Sequence, residues 1–371
     1  MRLLFVADHL KFGGAERHTV ALAKGLAARG HQVAVAYLKP HDELAEDLRQ
    51  GGVGLVECCQ SQGGLDRAAL GRLRGLIRRF EADLVIATSQ YSLMFATLAR
   101  ALARQGKLAF ICHSMEHVQR SRADRLRFLV YRQFYRRAAC VVFVSALQRD
   151  FFAQLGIVPR RSEVIHNGID LRRFDPAAVQ DEAVALRQRH GVPADDLLIG
   201  LCAVFREEKR QVDLVDALAR LRAEGVAARV LLVGDGLMRP QIEQRIAQHG
   251  LQSAVILAGF QQDVRPWIAM CDVMALTSHA ETFPIATLEY MALGKPLVAS
   301  AVGGMREQVE DGVNGLLYPA ADIGALTAAL GQVAAPATRA RLRQGALSTV
   351  SERFDLVRMV ERYEAVWSSL L

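Results

Sequence analysis

Short, continuously apolar runs alternate with helical patterns along this chain, and that alternation restricts the fold more than any other feature. A strand that is apolar at every position is buried on both faces, and helices between such strands cover those faces. The first half therefore predicts a parallel sheet flanked by helices. Its apolar runs lie at residues 3–7, 32–38, 83–88, 108–113 and 140–145.

The alternation stops over a polar stretch at residues 170–196 and then begins again. We interpret this as two doubly wound α/β domains, one over residues 1–175 and one over residues 190–350. Ligands of open α/β sheets bind at the carboxyl ends of the strands, so in a two-domain protein we expect them in the cleft between the sheets. The apolar runs of the second half lie at residues 197–204, 229–233, 255–258, 273–277 and 296–300.

Composition narrows the classes of protein further. The chain is 51% hydrophobic and 23% charged, which excludes a mainly disordered or collagen-like protein. No stretch reaches the roughly 18 uncharged apolar residues of a spanning helix. Asp8 and His9 interrupt the first apolar run too early for a signal peptide, so we expect a cytosolic protein. The six cysteines include no Cys-x-x-Cys pair, which argues against a disulfide framework and a zinc site.

The net charge of +7 is unevenly distributed. Residues 1–175 hold 27 Lys and Arg against 16 Asp and Glu, whereas residues 176–371 hold 19 against 23. A basic first half predicts contact with something anionic. Arginines interleave with aromatic and aliphatic residues at 120–137, as in a helix that lies on a membrane surface, and residues 71–79 would extend that surface. A core-packed helix with a solvated arginine face explains the pattern equally well. We disfavour nucleic acid because no binding motif is present.

Two features in the first half are candidates for ligand contact. Gly13 and Gly14 follow the first strand and precede a helix, where backbone N–H groups can approach an anion. A plain tight turn is the alternative, and the absence of a Gly-x-Gly-x-x-Gly pattern excludes the dinucleotide fingerprint of an oxidoreductase. His113 closes the strand at 108–112 and is the best histidine candidate for a polar group in the cleft, although a lone histidine is more often structural.

Two stretches of the second half follow buried strands and carry charge. Arg206 and Lys209 are three residues apart at a helix start and can together hold a diphosphate, unless they are only a solvated cluster. The stretch 281–289 places Glu281 before a helix and Glu289 inside it, with Pro284 suited to the first helical turn. The free N–H groups around residues 283–286 would form a second anion site. Surface charge or helix capping is the alternative reading of the glutamates.

These residues together resemble glycosyltransferase family 4, whose members are retaining enzymes of the GT-B fold. The resemblance is carried by the Glu281-to-Glu289 spacing with Gly-Gly-Met-Arg-Glu at 303–307, and by matches in order along nearly the whole chain. The chain departs from the family pattern beside these motifs. The family usually has Gly-Arg-Leu and Lys-Gly around its cation pair, and here Phe205 and Arg210 occupy those places. Tyr290 follows the second glutamate, where the family usually has Ala. The further matches lie at 13–16, 164–170, 206–209 and 233–236.

The resemblance implies a role for each matching residue. Glu281 would face the donor sugar, Glu289 the ribose, and Arg206 and Lys209 the diphosphate. His113 matches a first-domain histidine near the reacting sugar. The backbone of Phe283, Pro284 and Ile285 would contact the donor, as would Gly13 and Gly14. The resemblance also implies that the first domain binds the acceptor and the second domain binds the donor. It implies further that a C-terminal helix at 355–371 packs back on the first domain. From the sequence, we expect residues 337–371 to be helical throughout.

The expected reaction moves a hexose-type sugar from a nucleotide-diphosphate sugar, with UDP favoured and GDP as the other base considered. Two cations and helix N–H groups would stabilise the leaving diphosphate without a metal ion, and no Asp-x-Asp motif stands where a metal would be needed. The basic first half favours a lipid-linked or lipopolysaccharide-type glycan acceptor at the inner face of the membrane. The alternatives are a transferase with a soluble small-molecule acceptor, and a nucleotide-sugar-binding protein without catalysis.

Overall fold

The computed structural model describes residues 1–115 and 131–371, and the chain divides into two compact units. Unit 1 comprises Met1–Gly168 together with Leu356–Leu371, and unit 2 comprises Ile169–Asp355. Each unit has its own parallel sheet, its own helices and its own buried apolar core.

The sheet of unit 1 has seven parallel strands in the order β3-β2-β1-β4-β5-β6-β7. Strand β1 lies between β2 and β4, so the chain changes direction across the sheet at that point. Phe5, Val85 and Val141 are fully buried, which agrees with strands covered by helices on both faces. The strands are β1 Arg2–Ala7, β2 Gln32–Tyr37, β3 Leu55–Cys58, β4 Leu84–Ala87, β5 Lys107–Cys112, β6 Cys140–Phe143 and β7 Ser162–Val164.

The sheet of unit 2 has six parallel strands in the order β10-β9-β8-β11-β12-β13. Here β8 lies between β9 and β11, which repeats the arrangement of unit 1. Residues that follow β8, β11 and β12 therefore meet at one edge of the sheet. The strands are β8 Leu197–Cys202, β9 Ala228–Val233, β10 Val255–Gly259, β11 Val273–Leu276, β12 Leu297–Ser300 and β13 Leu316–Tyr318.

The described helices cover both faces of these sheets. In unit 1, Gly25 of the first helix approaches Val360 of the last so closely that a Cβ would lie 2.5 Å from Val360 Cγ2, which explains a glycine inside a helix. The helices are α1 Gly14–Ala28, α2 Ala45–Gln50, α3 Arg67–Arg79, α4 Gln90–Ala103, α5 Ala146–Gln154, α6 Gln180–Arg189, α7 Gln211–Ala223, α8 Arg239–Gln248, α9 Arg265–Ala269, α10 Ile285–Ala292, α11 Met305–Gln308, α12 Ile323–Val333, α13 Pro336–Arg353 and α14 Leu356–Ser368.

One expectation about the helices was wrong. Residues 337–371 are not one continuous helix, because the chain leaves the helical conformation at Phe354 (φ −127°, ψ 21°). Ile169 N–H donates to the Phe354 carbonyl at 2.8 Å, so that carbonyl is bonded to a distant segment. The polar stretch 170–196, where the alternation of strands and helices pauses, contains helix α6, whose Ala183 and Leu186 are buried. The two-domain parallel α/β organisation is confirmed.

Candidate functional site

The predicted cations of unit 2 lie on the connection between β8 and α7. Glu207–Lys209 forms a single 3₁₀ turn, and Arg210 (φ 47°) then adopts the left-handed conformation before α7 begins. Thr277, which follows β11, fixes this connection because its hydroxyl donates to the Lys209 carbonyl at 2.8 Å and to the Arg210 carbonyl at 3.0 Å. The connection after β8 is thus held against the end of β11.

Lys209 and Glu281 form an ion pair that shields both groups from solvent. Lys209 Nζ lies 2.6 Å from Glu281 Oε1, and the Ser278 hydroxyl donates to the same oxygen at 2.6 Å. The Glu281 side chain is only 8% exposed and that of Lys209 23%. The ammonium therefore neutralises and orients the carboxylate that follows β11, as a buried charge requires.

Arg206 is in a different environment from Lys209. Its side chain is 62% exposed, and the nearest carboxylate among the described residues is Glu208, whose oxygen is 3.8 Å away. We predicted that the two cations would act together on one anion. Of the two side chains, however, only that of Arg206 is mainly exposed to solvent. Lys209 is already bonded to Glu281.

Helix α10 begins one residue later than predicted. Pro284 is its N-cap, with an extended backbone (φ −66°, ψ 129°), and Ile285 is the first helical residue. The Pro284 carbonyl accepts a hydrogen bond from Gln308 Nε2 at 3.0 Å, so the proline is held from outside the helix. Phe283 points into the core, where its ring packs edge-on against Phe354 at 5.7 Å. The ring of Phe283 is therefore not available to a ligand, which could contact this residue only through its backbone.

The loop after β12 supports the backbone of Glu281. Gly303 has φ +50°, and a Cβ at that position would lie 1.7 Å from the Glu281 carbonyl oxygen. Gly304 N–H donates to the Thr282 carbonyl at 3.1 Å. Only glycine permits this close approach. Gly303 and Gly304 therefore position the loop that carries Glu281.

Glu289 is placed inside α10, as predicted, and is 7% exposed. The next residue, Tyr290, which departs from the family pattern, is fully buried. Its hydroxyl accepts from Cys202 N–H at 3.0 Å and donates to the Cys202 carbonyl at 3.1 Å. Tyr290 therefore ties α10 to the carboxyl end of β8, and burial raises the pKa of its phenol well above the usual range.

The residues after β9 pack against the other departure from the family pattern. Phe205 is fully buried, and its N–H donates to the Asp235 carbonyl at 2.9 Å. A Cβ on Gly234 would lie 2.1 Å from the Ala203 carbonyl oxygen, and one on Gly236 would lie 2.5 Å from that of Phe205. The glycines of 233–236 are thus required by the connection that carries Arg206.

In unit 1, Gly13 is the N-cap of α1 and Gly14 its first residue. Gly13 has an extended backbone (φ −162°), so its conformation does not require glycine. A Cβ there would, however, lie 2.3 Å from Glu16 Oε2. Since this oxygen is the end of a flexible side chain that can turn away, neither the backbone conformation nor the packing requires a glycine at position 13.

His113 directly follows β5, as predicted, and it has a neighbour that the sequence did not reveal. The rings of His113 and His18 meet edge-on, with centroids 4.5 Å apart and an angle of 66°. His18 lies on α1 and is 2% exposed. Burial lowers the pKa of His113 to about 4, and burial with the adjacent His113 lowers the pKa of His18 well below its ordinary value. Only the apolar spacing of α1, which puts position 18 on its inner face, could have indicated His18.

Three further predictions concern metals and membranes. Within residues 1–115 and 131–371, no three His, Cys, Asp or Glu side chains are arranged to hold a metal ion. In the same part of the chain, no helix is both long and apolar enough to cross a bilayer. Most of the basic segment 120–137 lies outside the described residues, which resume at Tyr131.

Comparison with known proteins places this geometry in a family. Residues 12–173 match the model of Glycosyltransferase Family 4, and residues 196–335 match that of Glycosyl transferases group 1. Crystal structures of Anabaena Alr3699/HepE cover the whole of both chains at 28% identity, with a TM-score of 0.86 for the complex with UDP and 0.87 for that with UDP and glucose.

Curated relatives agree with this assignment. The putative colanic acid biosynthesis glycosyltransferase WcaL of Salmonella typhimurium is 27% identical over 86% of this chain and 83% of its own length. The N-acetyl-alpha-D-glucosaminyl L-malate synthase of Bacillus anthracis is 29% identical over 56% of this chain, and the match spans little more than half, 54%, of that enzyme. Since the two family models follow one another along the chain and the fold agrees over its full length, this protein belongs to glycosyltransferase family 4 and has the GT-B fold.

Proposed function

We propose that this protein transfers a hexose-type sugar from UDP-sugar to an acceptor, with retention of configuration and without a metal ion. The observation that carries the proposal is the Lys209–Glu281 ion pair beside the exposed Arg206 at the carboxyl edge of the unit 2 sheet. Crystal structures of the relative from Anabaena contain UDP or UDP-glucose, which favours UDP over GDP as the donor base.

The diphosphate of the donor would bind where positive charge is available. Arg206 offers a guanidinium that is mostly exposed, and its planar group can hold two phosphate oxygens. The first N–H groups of α10, from Ile285 onward, have no carbonyl partner within their helix and carry partial positive charge. These groups would stabilise the charge that gathers on the leaving diphosphate, which is the task a metal ion performs elsewhere.

The two glutamates would contact the sugar and the ribose of the donor. Glu281 has one carboxylate oxygen bonded to Lys209 and Ser278, and we assign its other oxygen to a hydroxyl of the donor sugar. Glu289, one turn inside α10, would accept from the ribose hydroxyls. Lys209 then contributes by holding Glu281, and its ammonium adds positive charge next to the phosphates.

Transfer proceeds by one substitution at the anomeric carbon. The bond from this carbon to the phosphate oxygen breaks, and its electron pair stays with the diphosphate. The acceptor hydroxyl attacks from the same face, forms the new glycosidic bond, and gives its proton to the departing phosphate. Retention is supported by the family resemblance. His113, neutral at physiological pH because burial lowers its pKa to about 4, would make a hydrogen bond to the reacting sugar.

The acceptor is proposed to be a lipid-linked or cell-surface glycan. The excess of basic residues in residues 1–175 favours an anionic partner or surface, and the printed name of the Salmonella relative refers to colanic acid biosynthesis. A soluble acceptor is the second candidate, because other relatives are named for L-malate and D-inositol 3-phosphate.

The donor assignment is tested with the purified chain and a panel of UDP, GDP, ADP, CMP and NAD in thermal unfolding. A ligand at about 100 times its dissociation constant adds roughly 2.7 kcal/mol of stability, so we expect UDP alone to raise Tm clearly. EDTA, which removes metal ions, should leave the rate of UDP-glucose consumption unchanged. NMR of the released or transferred sugar should show the α anomer as the first product. A shift with NAD alone, or inversion of the anomer, would contradict the proposal.

A further inference from the structure

Unit 1 contains a continuous stack of aromatic rings that leads from the C-terminal helix to His113. Trp367 and Tyr363 of α14 are in ring contact at 5.2 Å, and Tyr363 contacts His18 at 5.6 Å with an angle of 67°. His18 in turn contacts His113 at 4.5 Å. His18 is therefore held between a ring on α14 and the one histidine to which the proposed function gives a role.

The stack is polar in composition but lacks hydrogen bonds. Neither ring nitrogen of His18 has a hydrogen-bond partner among the described residues, and the same holds for His113 Nε2 and the Tyr363 hydroxyl. Burying an imidazole nitrogen without a partner is unfavourable by about 1–3 kcal/mol. The two ring nitrogens of His18 thus make no hydrogen bond to the described residues, and its ring, in contact with Tyr363 and His113, is the part of the side chain that can act on His113.

The geometry of the pair limits what His113 can do. The edge-on contact fixes the angle between the two rings, because a rotation of the His113 ring about its bond to Cβ would bring it into the ring of His18. His18 cannot yield, since Tyr363 lies against it and α1 is buried at this position. The plane of the His113 ring, and hence the direction of its nitrogens at the end of β5, follows from His18.

We propose that His18 is a positioning residue for His113, and that its ring sets the plane of the His113 imidazole at the carboxyl edge of the unit 1 sheet. This inference rests on the role proposed above for His113 toward the donor sugar. His18 touches neither substrate in this account and acts only through His113.

The first test observes His113 in the resting protein and does not require activity. In protein labelled with ¹⁵N and ¹³C histidine, the His113 ring signals are assigned by their loss in His113→Phe. We expect His18→Leu to shift and broaden the ¹⁵N and ¹³C signals of the His113 ring, because the flanking ring that restricts its plane is gone. His18→Phe keeps a flat ring at position 18, so we expect the His113 signals to stay narrow and the His113 ring to keep its orientation. His190→Leu is the matched control, since His190 also packs on an aromatic ring, that of Trp267 at 5.4 Å, but lies in unit 2.

The second test separates positioning from general packing. We expect His18→Leu to lower kcat for UDP-glucose consumption about tenfold with KM changed by less than about twofold, because a misplaced group slows the chemical step more than binding. In a His113→Phe background, His18→Leu should have no further effect. An equal loss in both backgrounds, or unchanged His113 signals in His18→Leu, would overturn the proposal. If wild type neither binds UDP nor consumes UDP-glucose, the proposed function fails, and the His113 signals still decide the positioning role.

Discussion

Replacement of Gly303 by alanine should impair the enzyme far more than it destabilises the fold. A Cβ at this position lies 1.7 Å from the Glu281 carbonyl oxygen, whereas Cβ atoms do not come closer than 3.0 Å to such a neighbour. The segment that carries Glu281 must therefore move by about 1.3 Å, the difference between these two distances. A misplacement of about 1 Å can reduce a rate about a hundredfold, so we expect kcat/KM to fall by that order.

Gly312→Ala provides the matched control. Gly312 also has a positive φ, +76°, but nothing lies within 4 Å of a Cβ at that position. Both variants lose about 1 kcal/mol because alanine disfavours this backbone conformation, and only Gly303→Ala also displaces Glu281.

The comparison uses kcat/KM for UDP-sugar consumption and Tm, measured for both variants. We expect Gly312→Ala to keep kcat/KM within about threefold of wild type, with a small loss of Tm. If Gly303→Ala is as active as Gly312→Ala, then the position of Glu281 does not matter for the reaction. The assignment of Glu281 to the donor site would then be refuted.

Three further predictions test other parts of the account. Tyr290→Phe removes both hydrogen bonds to Cys202 and should lower the free energy of unfolding by about 1–3 kcal/mol in chemical denaturation, while an unchanged stability would show that these bonds are not needed. Glu289→Ala should weaken UDP binding measured by calorimetry, whereas Lys209→Ala should mainly lower kcat; normal turnover by both variants would reject the site. The pKa of His113 is lowered by burial from its ordinary 6.5 to about 4, so the unfolded state binds a proton that the folded state does not, and stability should be lost as pH falls from about 6.5 towards 4. His113→Phe should make the pH slope of the urea-unfolding free energy shallower over this range, while His18, whose pKa is also lowered by burial, keeps its own contribution. An identical pH slope in the variant would count against a neutral His113.

Much of the fold could be predicted because both sheets are buried on both faces. Strands such as β8 and β11 are apolar at every position, and the predicted runs contain them with an error of one or two residues at the ends. The edge strands β3, β7 and β13 were not recognised. Strand β3 is only half-buried, and β7 and β13 have three residues each, so none of them has a long apolar run. The break at Phe354 was missed since it depends on a hydrogen bond from Ile169, which is distant in sequence.

The positions of the candidate site residues in the fold could be predicted from the sequence, but their contacts could not. The spacing of Glu281 and Glu289 placed one before α10 and one inside it, as the structure has them. The sequence could not show that Lys209 bonds Glu281, because residues 72 positions apart are brought together only by the adjacency of β8 and β11. Tyr290 and Phe205 departed from the family pattern for reasons of packing, which only the buried contacts reveal.

The central claim is that UDP binds to unit 2 through Arg206 and the start of α10, and calorimetric titration of UDP tests it most directly. We predict one site in the wild-type chain and an affinity at least about tenfold weaker in Arg206→Ala, equivalent to about 1.4 kcal/mol for the lost charge-assisted hydrogen bonds. Arg239→Ala, which removes an arginine already paired with Asp235 and Glu243, should bind UDP as wild type does. No binding of UDP to the wild type, or equal affinity in Arg206→Ala, would contradict the account.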